Sequence, residues 1–554
     1  MRGYVIKAAA GLTLICVLAL LIGAYSPYAE MRSLPVFTLS TVARITLTLV
    51  LSVAWGVSFG ILAATNRLAS YVVTPVVDLL QSIPILGYFP LVIGFLFTWG
   101  TFGVEVSVIV LLFTSMAWAV FFGVVAAVRA IPANVIEASR SFGVTGWKYT
   151  RHVILPSIAP AVVAGANLAW SDGWFFMIAA EYIEYKGQIV SPASGGIGFL
   201  LARSAYFYRD MGMALTLLVY VTVLVVVINS LTWHKLMERA SAGTFKPILH
   251  IGLSGVGLMG VGGTRGWFSL THIQVPKAFS AFWQRLEEYT RRQKMLTAAV
   301  AVLAVGAILY GKLEQIPSLS SVAEALSQPP GEELRNIHLL ILLTMTRLTV
   351  AYAFSLVVAM GLGVLAAENR HAAAIIYPIY DIGQGVPILA LFPVLYVGLG
   401  NLFGNQRIAL EVTCVVMLVL DMIWYMFVNI SSAVKNIPTE IRDVGTLFGF
   451  KGLKRVTHIV IPSILPAIVT GSILSWGTGW NTVIFSEYLQ STQPGVPDVF
   501  VPGLGSLLDK AGYVYGNTVL LVVIIMVIAA IVLSMEALIW RPLLRRFEKY
   551  KVEV

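Results

Sequence analysis

The sequence predicts an all-α, polytopic membrane protein built from two parallel six-helix repeats, twelve transmembrane helices in total. Three observations carry that prediction. Hydrophobic residues are 58% of the 554 and charged residues 12%, about half the charge a soluble domain needs to solvate its surface. Mean hydropathy is +0.85. Apolar runs of the roughly 20 residues that cross a bilayer recur along the whole chain, and the second half repeats the first in register. Together they exclude a soluble enzyme. Cys16 and Cys414 both sit inside apolar runs, so neither a disulfide framework nor a cysteine-based metal site is expected.

The spans fall near 5–25, 41–65, 72–98, 103–128, 157–180 and 211–233, then near 295–311, 338–366, 374–399, 408–431, 463–486 and 515–539. Runs this long and uniformly apolar are helices, not barrel strands. The first run follows Arg2 and Lys7, as a signal peptide would. The second half opens on an equivalent run at 295–311, so the first is read as a retained span.

Charge then orients the chain. The net charge of +10 would suit a nucleic-acid binder if it were spread over one soluble surface. It is not. Segments 1–7, 66–67, 129–156, 234–294, 368–371, 435–462 and 541–554 hold 27 basic and 9 acidic residues. The remaining segments and span mouths hold 8 basic and 13 acidic. By the positive-inside rule both termini are cytoplasmic, in a multi-pass protein of the plasma (inner) membrane with no nucleic-acid partner.

The duplication sets the domains. Arg44 to Pro90 maps onto Arg347 to Pro393 at a constant offset of 303, with Asn66-Arg67 on Asn369-Arg370, Asp78 on Asp381 and Pro84 on Pro387. From Trp118 to Tyr182 the offset is 306, ending on Trp424 and Tyr488. Six spans is an even number, so the copies share one orientation, and the pathway is expected at their interface. Residues 1–233 form one half, 295–554 the other, and 234–294 a cytoplasmic linker. The linker has a Gly-rich stretch from Gly252 to Gly266 and then Trp283, Arg285, Arg291 and Arg292, read as a tether leading into an amphipathic interfacial helix.

The cytoplasmic loop after the fourth span is also repeated. Glu137-Ala138-Ser139 is followed by Gly143 and Val153-Ile-Leu-Pro156; Asp443-Val444-Gly445 is followed by Gly449 and Ile459-Val-Ile-Pro462. The acid is expected to open a short helix, where it complements the dipole. The glycine permits a turn with positive φ, and the proline starts the next membrane helix. Such a helix lies along the membrane and offers a face to a cytoplasmic partner.

These residues resemble the E-A-A-x-x-x-G, nine residues, I-x-L-P signature of permease subunits of ATP-binding-cassette importers. Glycine falls at position seven and proline at position twenty in both halves. Ser139 and Val153 depart in the first copy; Asp443, Val444, Gly445 and Ile461 depart in the second. The resemblance implies a type I importer permease. Two separate ATPase subunits, which carry ATP and magnesium, would engage the two loops, and an extracytoplasmic solute-binding protein would deliver the solute. The chain itself would be no enzyme and hold no cofactor; consistently, it has no G-x-x-x-x-G-K-[ST] run. Pro84 to Pro90, Ala180-Glu181 and their copies resemble the nitrate/sulfonate/taurine/bicarbonate group, here with two permeases fused, which implies a small organic or inorganic anion as solute and one chain per complex.

Polar residues inside the spans are candidates for function. Arg44 and Arg347 begin the second spans and Glu181 and Glu487 end the fifth at the outer face. They read either as a brace within each half or as an anion-admitting mouth. Asp78 and Asp381 near the cytoplasmic surface carry little weight. Asp172 and Asp421 break the repeat, standing where the other half has Thr478 and Ser115, and are candidates for the pathway. Trp170 and Trp174, matched by Trp476 and Trp480, share a helix face and would line a central gate or simply pack. A rival reading from another class is a secondary transporter in which Asp172 and Asp421 carry protons.

Overall fold

The computed structural model describes residues 2–242 and 334–548, apart from 97–98, 182, 186–187, 191, 193–194, 209, 451 and 490–498. Residues 243–294 of the linker and the seventh expected span, 295–311, lie outside these residues, while 234–242, assigned to the linker from the sequence, continue the last helix of the first half.

The first half runs α1 (Arg2–Tyr25), α2 (Leu34–Thr65), α3 (Arg67–Ser82), α4 (Ile85–Leu96), α5 (Gly100–Arg129), α6 (Ala133–Ser141), α7 (Gly146–Tyr149), α8 (Leu155–Glu181), α9 (Ile197–Ala202) and α10 (Met211–Ala242). The second runs α11 (Ile337–Glu368), α12 (Arg370–Gly385), α13 (Ile388–Phe403), α14 (Gln406–Lys435), α15 (Thr439–Leu447), α16 (Gly452–Arg455), α17 (Ile461–Ser486), α18 (Leu504–Asp509), α19 (Thr518–Met535) and α20 (Arg541–Glu548). Helix for helix, α2–α10 match α11–α19. The change of offset from 303 to 306 falls where α4 gives way to α5 and α13 to α14. After α8 and α17 each half has a two-stranded antiparallel hairpin: β1 (Ile183–Tyr185) with β2 (Gln188–Val190), and β3 (Tyr488–Leu489) with β4 (Val499–Phe500).

Eight helical segments among the described residues are long and apolar enough to cross a membrane, based on α2, α5, α8, α10, α11, α14, α17 and α19. The residues 10–25 of α1 form a shorter apolar helix. The third and ninth expected spans need correction. Region 72–98 is divided between α3 and α4, and region 374–399 between α12 and α13, which meet at 94°. The cause is Pro84 and Pro387, one residue before the second helix of each pair. Proline lacks the amide that would continue the helix and forces the residue before it out of the helical region; Val386 is accordingly extended, with φ −77° and ψ 122°.

Within each half the long helices form a triad, α2–α5–α8 and α11–α14–α17. Small residues let the backbones approach, as membrane helices require where there is no hydrophobic drive between them. A Cβ on Gly60 would fall 2.8 Å from Val124, and one on the matching Gly363 2.8 Å from Ile430. The halves meet through the broken helices. The first half's α4 packs on α17 and α19, and the second half's α12 and α13 pack on α8 and α10. One contact has no symmetric copy: the Ile85 amide, an orphan donor at the start of α4, donates to Asn481 Oδ1 of α17 at 2.7 Å. The residue matching Asn481 in the first half is Phe175. Asn481→Leu strands that amide, which costs about 1–3 kcal/mol; a lowered melting midpoint in detergent is the expected readout.

Candidate functional site

Three sites lie along the bundle. At the end of α8 and α17, each half holds a buried charge network. Arg44 Nη1 donates to Glu181 Oε1 at 2.7 Å, while its Nε and Nη2 grip Glu105 at 2.9 and 3.0 Å. Glu181 also accepts from Thr41 Oγ1 at 2.7 Å and the Gly198 amide at 2.9 Å. The second half repeats this. Arg347 bonds Glu487 at 2.8 Å and Glu411 at 2.7 and 2.6 Å, with Thr344 and the Gly505 amide on Glu487. Sequence reasoning proposed Arg–Glu pairing but missed Thr41, Glu105, Thr344 and Glu411. The repeat offers them, since Thr41 and Thr344 are 303 apart and Glu105 and Glu411 are 306 apart.

Burial explains why so many partners converge. Glu181 and Glu487 are fully buried, and an ion removed from water must have its lone pairs filled. Gly196 and Gly503 make room, because a Cβ at either position would collide with the carboxylate of Glu181 or Glu487. Gly196→Ala and Gly503→Ala therefore force an overpacked core, worth about 1–3 kcal/mol. Each is expected to lower the melting midpoint, and an unchanged midpoint would contradict the packing.

The second site is a cavity of about 80 Å³ between the halves. It places Asp172 of α8 with Asp421, Trp424 and Tyr425 of α14 and Tyr380 and Gln384 of α12. The Tyr425 hydroxyl donates to Asp172 Oδ1 at 3.4 Å, and Thr482 to Asp421 Oδ2 at 2.8 Å. The two acids that break the repeat thus share one chamber. Of the four matched tryptophans only Trp174 lines it. Trp170 instead packs on Trp233 with ring centroids 6.2 Å apart, Trp476 on Trp540 at 6.0 Å, and Trp480 is buried. Tyr380, Trp424 and Tyr425 were not singled out from the sequence, where an aromatic in a span carries no mark of cavity or core.

The third site is the repeated loop. Glu137, Ala138 and Ser139 lie on α6, and Asp443, Val444 and Gly445 on α15. The acid does not open the helix, as the sequence suggested. Each is the fifth residue of a nine-residue helix, which begins at Ala133 or Thr439 just after Pro132 or Pro438. The helix starts early because proline fits its end at no cost in amides. Gly143 and Gly449 end the helices with φ of +67° and +70°. Glu137 and Asp443 are exposed, as are Phe142 (83%) and Phe448 (74%). The third position of the motif faces inward instead. Ser139 is buried, and a Cβ on Gly445 would stand 3.1 Å from Ile459; this explains the small residue there. Pro156 and Pro462 occupy the second position of α8 and α17. In the second half Arg455 of α16 pairs with Glu368 at the end of α11 at 3.1 Å, and Arg442 of α15 donates to the Val434 carbonyl at 2.6 Å. The loop is therefore tied to two membrane helices.

Comparison with known proteins agrees with this anatomy. The family profile described as binding-protein-dependent transport system inner membrane component matches twice, over residues 56–239 and 359–546. The taurine transport system permease protein TauC of Escherichia coli is 27% identical over 168 residues, 30% of this chain and 56% of TauC. The bicarbonate transport system permease protein CmpB of Synechococcus elongatus is 24% identical over 153 residues, 28% and 52% of the two chains. The glycine betaine/proline betaine transport system permease protein ProW of Salmonella typhimurium is 29% identical over 206 residues, 36% and 54%. The chain spans about half the length of these relatives. The two profile matches begin within α2 and α11, take in α5, α8 and the repeated loop of the first half and their counterparts in the second, and together span more than half of the chain. The chain belongs to the binding-protein-dependent transport system inner membrane components and carries the family's unit twice.

Proposed function

We propose that the chain forms the translocation pathway of an ATP-driven importer for a small solute, working by alternating access. The carrying observation is the pair of exposed, glycine-ended helices α6 and α15, one per half, with α15 tied to the membrane helix α14. In this reading two ATPase subunits, which hold ATP and magnesium, seat on Glu137, Ala138 and Gly143 and on Asp443, Val444 and Gly449. Their closure is transmitted through Pro156 and Pro462 into α8 and α17. A solute-binding protein docks at the opposite end, near the Arg44 and Arg347 networks. Both termini are cytoplasmic, and one fused chain serves each complex. The chain performs no chemistry of its own. The relatives named for taurine and bicarbonate transport support a small anion, organic or inorganic, as solute. Family membership favours this reading over an ion-gradient transporter with Asp172 and Asp421 as proton carriers.

The buried networks act as braces in this account. Each Arg44 and Arg347 donor that binds carboxylate is committed within its own half, which leaves the arginines to hold α2, α5 and α8, or α11, α14 and α17, together while the halves move. Native purification of the tagged chain tests the partnership: two ATPase copies per chain are expected, and a chain that never retains an ATPase contradicts it.

A further inference from the structure

The cavity between the halves has a chemistry that the proposed anion does not explain. Its two charged lining residues, Asp172 and Asp421, are both acids, and no Lys, Arg or His lines it. An uncompensated pair of carboxylates in the membrane interior is costly and would repel a simple anion. Around them stand the rings of Trp174, Tyr380, Trp424 and Tyr425. Aromatic faces beside carboxylates are the surroundings that attract an ammonium group, through the ring quadrupole and direct charge. The volume of about 80 Å³ holds roughly six waters at about 10–15 Å³ each, enough for a small amine and too little for a sugar. The repeat adds a further point. Ser115 and Thr478 replace the acids at the matching positions, so this chamber is acidic through residues found in one half only.

We propose that this cavity is a transit site for the cationic nitrogen of a small organic solute, a primary or quaternary ammonium. The inference rests on the importer reading and narrows its solute. A plain inorganic anion does not fit, whereas an organic anion that also carries an ammonium group does.

Equilibrium binding of radiolabelled tetramethylammonium to the full chain with its ATPase partners in lipid nanodiscs tests this. One saturable site per chain is expected. Asp172→Asn and Asp421→Asn should each weaken it at least tenfold, and Trp424→Leu severalfold. On the wild-type protein, methylammonium should compete while the neutral isostere tert-butanol should not; this arm needs no variant to fold. Unsaturable binding, equal binding by the Asp172→Asn/Asp421→Asn double variant, or equal competition by tert-butanol would overturn the site. If tetramethylammonium fails to bind while the complex still hydrolyses ATP in response to its binding protein, the site falls and the importer reading stands. Binding without any ATP-driven uptake overturns the importer reading alone.

Discussion

Replacing Arg44 with methionine is expected to abolish recovery of folded protein from the membrane, and Arg347→Met to do the same. Arg44 is 6% exposed and lies between Glu105 and the fully buried Glu181. Without it, Glu181 keeps the Thr41 hydroxyl and the Gly198 amide but loses its only counter-charge among the described residues. Removing one partner of a buried ion pair costs about 3–5 kcal/mol, at least a hundredfold in the folding equilibrium at about 1.4 kcal/mol per tenfold. The double variant Arg44→Met/Glu181→Gln should recover part of the loss, because no buried ion is then left unpaired. Size-exclusion profiles and melting midpoints in one detergent would measure both. Equal losses in the single and double variants would contradict the brace.

Replacing Glu137 with lysine together with Gly143→Val is expected to reduce solute uptake at least tenfold with the amount of folded protein unchanged. Gly143 has φ +67°, and nothing lies within 4 Å of where its Cβ would stand. An added Cβ therefore meets no neighbour, and the substitution acts through the backbone, at about 1–2 kcal/mol for leaving the left-handed region or enduring it. That re-aims α6 and the exposed Phe142 without touching the buried core. Uptake and ATP hydrolysis, measured together in reconstituted vesicles, should part company: hydrolysis continues and transport fails. Unchanged coupling would refute the role of the loop. The same pair in the second half, Asp443→Lys with Gly449→Val, should act in the same direction, since the two loops are folded alike.

Much of this architecture was legible in the sequence for a physical reason: duplication writes each structural requirement twice. Arg44 and Arg347, Gly143 and Gly449, Pro156 and Pro462 recur at fixed offsets, and each pair takes the same place in the fold. What hydropathy missed was direction. The runs at 72–98 and 374–399 are apolar throughout, and composition does not record that Pro84 and Pro387 turn the chain within them. The helices α6 and α15 begin four residues before their acids because a preceding proline, not the carboxylate, sets their start. Glu105 and Glu411 went unread as brace partners since an acid at the mouth of a span is equally at home in water. The meeting of Asp172 with Asp421 was readable as a break in symmetry. Its aromatic walls were not, because Trp424 and Tyr425 look like any other core rings until the cavity is formed.

The central claim is that ATP hydrolysis on partner subunits moves solute through this chain. Its most direct test is uptake into vesicles reconstituted with the chain, its ATPase subunits and its solute-binding protein. Uptake should require all three components and internal or external ATP on the side of α6 and α15, and should survive collapse of every ion gradient. Uptake that persists without ATP and vanishes with the proton gradient would contradict the account.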